Sequence, residues 1–528
     1  MDPIRLGWLG GAREPWQQRT LDLLRLEPGV ETVSLPSEAS MSPSNPLGLE
    51  VVLVFGDSPD EIPASILPNL PLGVWSLELD PRLVDVGRAL DDEPTIGAAL
   101  VRRWCDRDRI LRDTLVDGEF LVRRHSWSKT RRRVLEQVQT WPALAIRRLR
   151  TNGHRTGGLV AALPREVGSG GSLPVGSAGA GQLWQLRRRE LSGLWRRVGQ
   201  EFVEQDWNVG VIASSIEHWL GPHLAEAAHR EDGGIASILP PQSTRWLPRQ
   251  GRNLSLADPF VLIHDGRSVV LVESLSHQHG RGVIAAVSGI DEPAVSVSRT
   301  VLRSWSHLSY PYCFEHEGTV WCVPEMHEAG RVMLLRADRF PDRWIEDSVL
   351  LEGVPVVDPT LFQHEGSWWM LCGRSDWDDW THLFAWSAPS LHGPWTPHPW
   401  NPLRSDVRST RPAGRPFRIG DRLYRPTQDC SQTYGGAISI NEIVELTATS
   451  YREVPRLRIV PDPKGPYPDG VHTINSAGSI TVIDGKRHFV TSRRLWLQLW
   501  RQPQRPQART AMFDLGPDLD RIGSGVGG

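Results

Sequence analysis

The 528-residue sequence has only five cysteines, six tyrosines against 23 tryptophans, and no run approaching eighteen apolar residues. Without such a run no membrane-crossing helix is expected. Its 59 basic and 62 acidic side chains nearly cancel, to a net charge of −3. That balance offers no footprint for nucleic acid or for a charged membrane over the chain as a whole. An odd cysteine count without C-x-x-C spacing excludes a complete disulfide framework, and Cys313, Cys322 and Cys372 fall within expected strands. They read as buried free thiols. The opening Met1-Asp2-Pro3-Ile4-Arg5 lacks the basic start and apolar stretch of a signal peptide, so a cytoplasmic protein is expected. Gly10-Gly11 follows the first expected strand without the G-x-G-x-x-G spacing, and no cofactor is expected.

What is present is a sentence written three times. Asp258–Glu273, Tyr310–Glu325 and Asp358–Gly373 are sixteen-residue copies, each with apolar runs on either side of His-Asp-Gly or His-Glu-Gly. Such a loop between β-rich runs predicts a hairpin with a two-residue turn. Continued to the open end, the turn register sets Asp258 opposite Glu273, Tyr310 opposite Glu325 and Asp358 opposite Gly373. The copies begin at 258, 310 and 358, a period of about 50 residues that suits propeller blades. An altered fourth copy begins at Arg411 and turns at Gly420-Asp421, and a fifth begins near Asn475 with a turn expected at Asp484-Gly485. Residues 205–500 are therefore expected to form an all-β five-bladed propeller. Trp207–Ile212 alternates like a strand and is expected to complete the last blade, which would remove free edges.

Ahead of the propeller, Ile4–Leu9, Glu31–Leu35, Leu49–Phe55 and Gly73–Leu79 read as strands, and Pro15–Leu26 as a helix. This alternation predicts a small parallel α/β domain over 1–122. A basic helical region follows over 123–204, with Arg147, Arg148 and Arg150 in its first part and a second helix at Leu183–Phe202. It reads either as helices packed by one stripe and solvated on the other, or as a peripheral contact with anionic lipid. Gly168–Gly181 is a linker by composition, and 501–528, rich in Pro, Arg and Gln, reads as a disordered tail.

In a propeller, equivalent blade-start positions converge at one mouth of the channel. Asp258, Tyr310, Asp358 and Arg411 are expected there, backed by Glu273, Glu325, Gln428 and Asp429, with His472 and Asn475 from the last blade. Carboxylates, a guanidinium and aromatic faces suit a polyhydroxylated ligand. His264, His316 and His364 flank turns at the far end of their hairpins, so no metal site is expected.

Two resemblances add to this reading. The order of elements over about 120 residues, with Glu93–Leu100, resembles the N-terminal domain of methionyl-tRNA and sugar-nucleotide formyltransferases. Those enzymes need an Asn-x-His pair in the strand that here reads Gly73–Leu79. Neither residue is present, which implies a silent relic rather than a sugar N-formyltransferase. The Asp-Pro blade starts at Asp258 and Asp358, with Glu325, look like five-bladed glycosidases of furanosides and xylosides.

More closely, His307–Pro311, Pro324-Glu325, Val357–Phe362, Gly393–His398, Arg411–Arg415, Gln428–Ser431, Tyr434–Gly436 and His472–Asn475 resemble the N-terminal propeller of plant glucosamine inositolphosphorylceramide transferases and their bacterial relatives. The resemblance implies handling of a sugar in glycan or glycolipid assembly, with a separate glycosyltransferase as partner. If the propeller is catalytic, Asp258 would be base or nucleophile, Glu325 the acid, and Asp358 the residue orienting the sugar, with Glu273, Tyr310, Arg411 and Arg415 around them. The alternative is a noncatalytic glycan-binding or scaffold module.

Overall fold

The computed structural model describes residues 3–9, 14–35, 47–55, 64–84, 93–106, 109–123, 126–151, 203–228, 235–251, 253–290, 298–490 and 513–514. The chain separates into two compact units, 1–198 and 199–528. The expected linker at 168–181, the helix at 183–202 and nearly all of the tail lie outside the described residues.

In the first unit the sheet is mixed, not parallel throughout. Val30–Ser34, Ile4–Leu9, Val51–Val54 and Gly73–Leu79 are parallel neighbours in that order. Thr95–Asp106 then adds antiparallel to Gly73–Leu79, and Arg109–Leu121 antiparallel to it. The short connection between Asp106 and Arg109 permits a hairpin but no crossover helix, which accounts for the second of these pairings. Helix Pro15–Leu26 carries proline in its first turn, and the Gln17 side chain accepts the Glu14 N–H at 2.9 Å.

Helices Trp127–Val138 and Trp141–Thr151 account for the described part of the basic region. Their arginines are engaged within the unit. Arg131 pairs with Glu14 at 2.8 Å, Arg147 pairs with Glu27, Arg150 donates to the Pro28 and Gly29 carbonyls, and Arg148 is buried.

The second unit is a propeller-like set of antiparallel sheets. Sheet I comprises Leu254–His264, Arg267–Ser276, Arg281–Ser288 and Ser298–Ser304, with Phe513–Asp514 along its edge. Sheet II comprises Ser309–His316, Thr319–Glu325, Arg331–Arg339 and Arg343–Glu352. Sheet IV comprises Phe417–Ile419, Arg422–Asp429, Ala437–Leu446 and Tyr451–Ile459, with Ala236–Ile238 added in parallel. Sheet V joins Ile474–Ala477 and Ile480–Val490 to Val203–Ile212 and Arg245–Trp246.

These are four complete sheets, one short of the five blades expected. The third repeat supplies Val356–His364, Ser367–Arg374 and His382–Ala388, but only two short pieces, Thr396–Pro397 and Arg404–Asp406, pair with its last strand. Val203–Ile212 lies beside Ile480–Val490 over its whole length, as the alternation at 207–212 implies.

The three hairpin turns form as expected, with positive φ at both loop residues: Asp265-Gly266, Glu317-Gly318 and Glu365-Gly366. The open ends do not. Ala257, Ser309 and Val357 take the places opposite Glu273, Glu325 and Gly373 that were expected of Asp258, Tyr310 and Asp358. Each of those three residues, with its proline, is bulged out of the ladder at φ 50°, 41° and 51°. Proline causes the break, because it has no N–H to donate to the partner strand.

The fifth turn is at Gly478-Ser479, not Asp484-Gly485, since Ala477 pairs with Ile480 and Asp484 with Val209. Trp321, Trp368 and Trp386 belong to one apolar core shared by sheets I and II and the strands of the third repeat. Cys313, Cys322, Cys372 and Cys430 are buried free thiols, and Cys105 is free and half-buried.

Candidate functional site

The bulges deliver the site. A left-handed residue ahead of a proline turns its amide and side chain out of the hairpin toward the neighbouring repeat. Asp258 Oδ2 accepts the Tyr310 N–H at 3.2 Å, and Glu325 Oε2 accepts the Asp358 N–H at 3.0 Å. The Asp258 N–H in turn donates to Asp484 Oδ2 at 3.1 Å. Consecutive repeats are therefore stitched through carboxylates that also face a cavity.

That cavity has a volume of about 240 Å³. Its lining includes Asp258, Glu273, Glu325, Asp358, Arg411 and His472, six of the eleven expected site residues. Arg411 Nε donates to Asp358 Oδ2 at 2.7 Å, its Nη1 pairs with Asp379, and its cation lies 5.1 Å from the Tyr434 ring centre. Glu273 is bound by His307 Nε2 at 3.2 Å, while the Gly282 amide donates to His307 Nδ1 at 3.0 Å. This pair of contacts fixes the tautomer protonated at Nε2.

The other five expected residues are supports that do not line the cavity. Tyr310 is fully buried, sharing its hydroxyl with Thr360 and accepting the Gly414 N–H. Asn475 donates to the Pro259 carbonyl at 2.7 Å and accepts the Arg415 N–H at 2.8 Å, which clamps the first bulge. The Arg415 guanidinium is held by the Cys313 carbonyl. Gln428 bridges Asp358 and the Pro412 carbonyl, and Asp429 is occupied by Ser431 and Arg458.

Sequence reasoning missed Trp207, His307, His327 and Tyr434, all of which line the cavity. Trp207 stacks on His472 with ring centres 4.0 Å apart, and Lys486 Nζ lies 5.3 Å from the Trp207 ring on its way to the Tyr434 carbonyl. The signals lie in the sequence, since His307 opens a repeat-flanking phrase and Tyr434 precedes Gly435-Gly436. Asp484, expected in a turn, is fully buried and accepts the His472 and Thr473 amides at 2.9 and 3.0 Å.

Asp258, His472 and Asp484 come within 4.8 Å of one another, close enough to surround a cation. His472 Nδ1 lies 2.6 Å from Asp484 Oδ2 and Nε2 3.5 Å from Asp258 Oδ1, and although burial opposes its charge the two carboxylates raise its pKa.

The carboxylates are driven apart in acidity. Burial raises Asp258 from 3.8 to about 6, opposed by His472 and assisted by Glu273. Burial would also raise Glu325, but the His327 hydrogen bond and the Arg411 charge prevail and lower it from 4.5 to about 2. Burial raises Asp358 as well, against the pull of Arg411. Glu325, expected as a proton donor, is thus held ionised at neutral pH.

A pH dependence follows. The raised Asp258 contributes stability that is complete below pH 3.8 and is lost as pH rises through about 6. The depressed Glu325 contributes stability present above 4.5 and lost as pH falls through about 2. The stability of wild type relative to Asp258→Asn, from denaturant unfolding, is expected to decline steadily between pH 4 and 7; a flat difference would contradict the assignment.

Residues 200–467 match the family model described as glucosamine inositolphosphorylceramide transferase 1, N-terminal. The chain is 30% identical over 302 residues to glucosamine inositolphosphorylceramide transferase 1 of Oryza sativa subsp. japonica, covering 54% of this chain and 40% of that one. It is 32% identical over 270 residues to the Arabidopsis thaliana protein of the same name, covering 48% of this chain and 34% of that one. It thus spans less than half the length of these curated relatives. Among solved structures, an α-L-arabinofuranosidase from Podospora anserina in complex with cellotriose is similar at 10% identity and a TM-score of 0.35, over 46% of this chain and 83% of that one. The catalytic domain of a Coprinopsis cinerea α-L-arabinofuranosidase gives 14% identity and 0.34, over 46% and 84%.

Proposed function

We propose, on the premise that this chain belongs to the family of the glucosamine inositolphosphorylceramide transferase 1 N-terminal region, as residues 200–467 do, that its propeller seats one sugar of a glycoconjugate during glycan or glycolipid assembly. The observation that carries this reading is the cavity, in which Trp207 and Tyr434 accompany Asp258, Glu273, Glu325 and Asp358. Carboxylates accept from sugar hydroxyls, and an aromatic face covers the C–H side of a ring. At about 240 Å³ the cavity is a little smaller than sites for drug-sized ligands, which begin near roughly 300 Å³. One ring fits inside and the rest of the glycoconjugate stays outside.

Recognition is favoured over cleavage because both oxygens of Glu325 are already engaged, by His327 at 2.8 Å and by the Asp358 amide at 3.0 Å. We therefore read the propeller as the sugar-recognising element, with transfer carried out by a separate glycosyltransferase. Buried free thiols suit a reducing, cytoplasmic setting. We take the third repeat as the remaining blade of a five-bladed ring, completed by its two short segments. For the first unit, a formyltransferase-like ancestry without formyl transfer remains our reading.

The test compares wild type with Asp258→Asn and Glu325→Gln, by calorimetry on a glycoside panel and by turnover of aryl glycosides and nucleotide sugars. Wild-type binding without turnover, altered in the variants, is expected. Turnover abolished in the variants while binding survives would replace recognition with catalysis. Absence of binding to the whole panel would leave the propeller a scaffold.

A further inference from the structure

Sequence reasoning passed over His327, and it does not belong to the hairpin repeat. It opens the single turn His327–Ala329 immediately after the strand that carries Glu325. Its Nδ1 lies 2.8 Å from Glu325 Oε1, while Glu325 Oε2 is committed to the Asp358 amide at 3.0 Å. An ionised carboxylate only accepts, so Nδ1 carries the hydrogen of that bond. The ring lines the cavity with its side chain 34% exposed, and Nε2 has no hydrogen-bonding partner among the described residues.

We propose that His327, oriented through Nδ1 by Glu325, is a hydrogen-bond donor of the pocket and presents Nε2–H to an oxygen of the bound sugar. The inference rests on the reading of the cavity as a sugar site and deepens it. The carboxylate expected to be the acid gives up that role because its charge is spent holding the imidazole. The arrangement follows the general logic of a carboxylate fixing one histidine nitrogen so that the other can exchange a proton.

The groups facing His327 are Glu325 and Glu328 of its own segment and His307 from the loop before sheet II, with Glu273 behind His307. The Glu325 hydrogen bond is the largest influence and raises the imidazole pKa, partly offset by burial and by His307. The proton on Nε2 is therefore retained above the ordinary histidine range.

The decisive experiment is imidazole ¹⁵N nuclear magnetic resonance on the full chain, with His327 assigned by the loss of its signals in His327→Gln. The expected result is an Nδ1–H tautomer whose Nε2 titrates above pH 6.5, with a lower midpoint in Glu325→Gln. A neutral form protonated at Nε2, or a midpoint unmoved by Glu325→Gln, would overturn the proposal.

Calorimetry against a panel of methyl hexosides and methyl N-acetylhexosaminides then reads ligand contact between pH 5.5 and 8.5. Wild-type affinity is expected to fall at least fivefold more than that of His327→Gln and His327→Asn as Nε2 loses its proton, the variants keeping only the pH dependence that Asp258 contributes. Equal pH dependence in all three proteins would overturn this inference alone. Failure of every protein to bind would overturn the reading of the pocket, and this inference with it.

Discussion

Replacing Asp484 by alanine is expected to destabilise the propeller unit by about 3–5 kcal/mol, the range found when one member of a buried ion pair is removed. Asp484 is wholly buried and accepts three backbone amides, from Asp258, His472 and Thr473, at 2.9–3.1 Å. It also faces His472 Nδ1 at 2.6 Å. The substitution leaves the three amides without their acceptor and His472 without its nearest carboxylate, and each orphaned amide alone costs about 1–3 kcal/mol. Asp484→Asn keeps an oxygen of the same reach and is expected to lose less. Guanidinium unfolding of the full chain, followed by tryptophan fluorescence, provides the measurement. An alanine variant within about 1 kcal/mol of wild type would show that the seam between sheets I and V is held by something else.

Arg411→Met is expected to have the second-largest effect, again about 3–5 kcal/mol. One guanidinium neutralises Asp358 and Asp379, and both the arginine and Asp358 are buried. With the cation gone, Asp358 retains, among the side-chain donors of the described residues, only the Gln428 amide at 3.3 Å, and Glu325 loses part of what keeps it ionised. The double variant Arg411→Met with Asp358→Asn is expected to recover part of the loss, because it removes the stranded charge together with its partner. Chemical unfolding of the single and double variants checks this. A double variant no more stable than Arg411→Met would rule out stranded charge as the cause.

The repeat was legible because a two-residue loop advertises itself: Asp-Gly or Glu-Gly between β-rich runs leaves few alternatives, and all three turns stand where the spacing puts them. The pairing at the open ends was misread because counting back from a turn assumes an unbroken ladder. Pro259, Pro311 and Pro359 were the warning, since proline inside a strand marks an interruption. The turn assigned to Asp484-Gly485 failed for a different reason. Gly485 is there for close packing, because a Cβ would approach the Trp246 ring to 2.4 Å. The bend itself uses Gly478 at φ 55°.

Of the candidate site, the charged floor was readable from repeat equivalence, since positions at the starts of Asp258 and Asp358 share a mouth by construction. Trp207, His307, His327 and Tyr434 were not, because they come from the closing strand and from connections that the repeat does not govern. Their proximity depends on how strands meet across hundreds of residues, as with Trp207 stacked on His472.

The central claim, that this cavity seats a sugar, is tested most directly by calorimetric titration of wild type and Trp207→Ala with the glycoside panel. An aromatic wall contributes roughly 1.5 kcal/mol, so a loss of about tenfold in affinity is expected in the variant, with folding confirmed by a cooperative unfolding transition whose midpoint is lowered by the loss of a buried ring. Glycoside binding that is undiminished in a folded Trp207→Ala protein would place the sugar elsewhere and contradict the account.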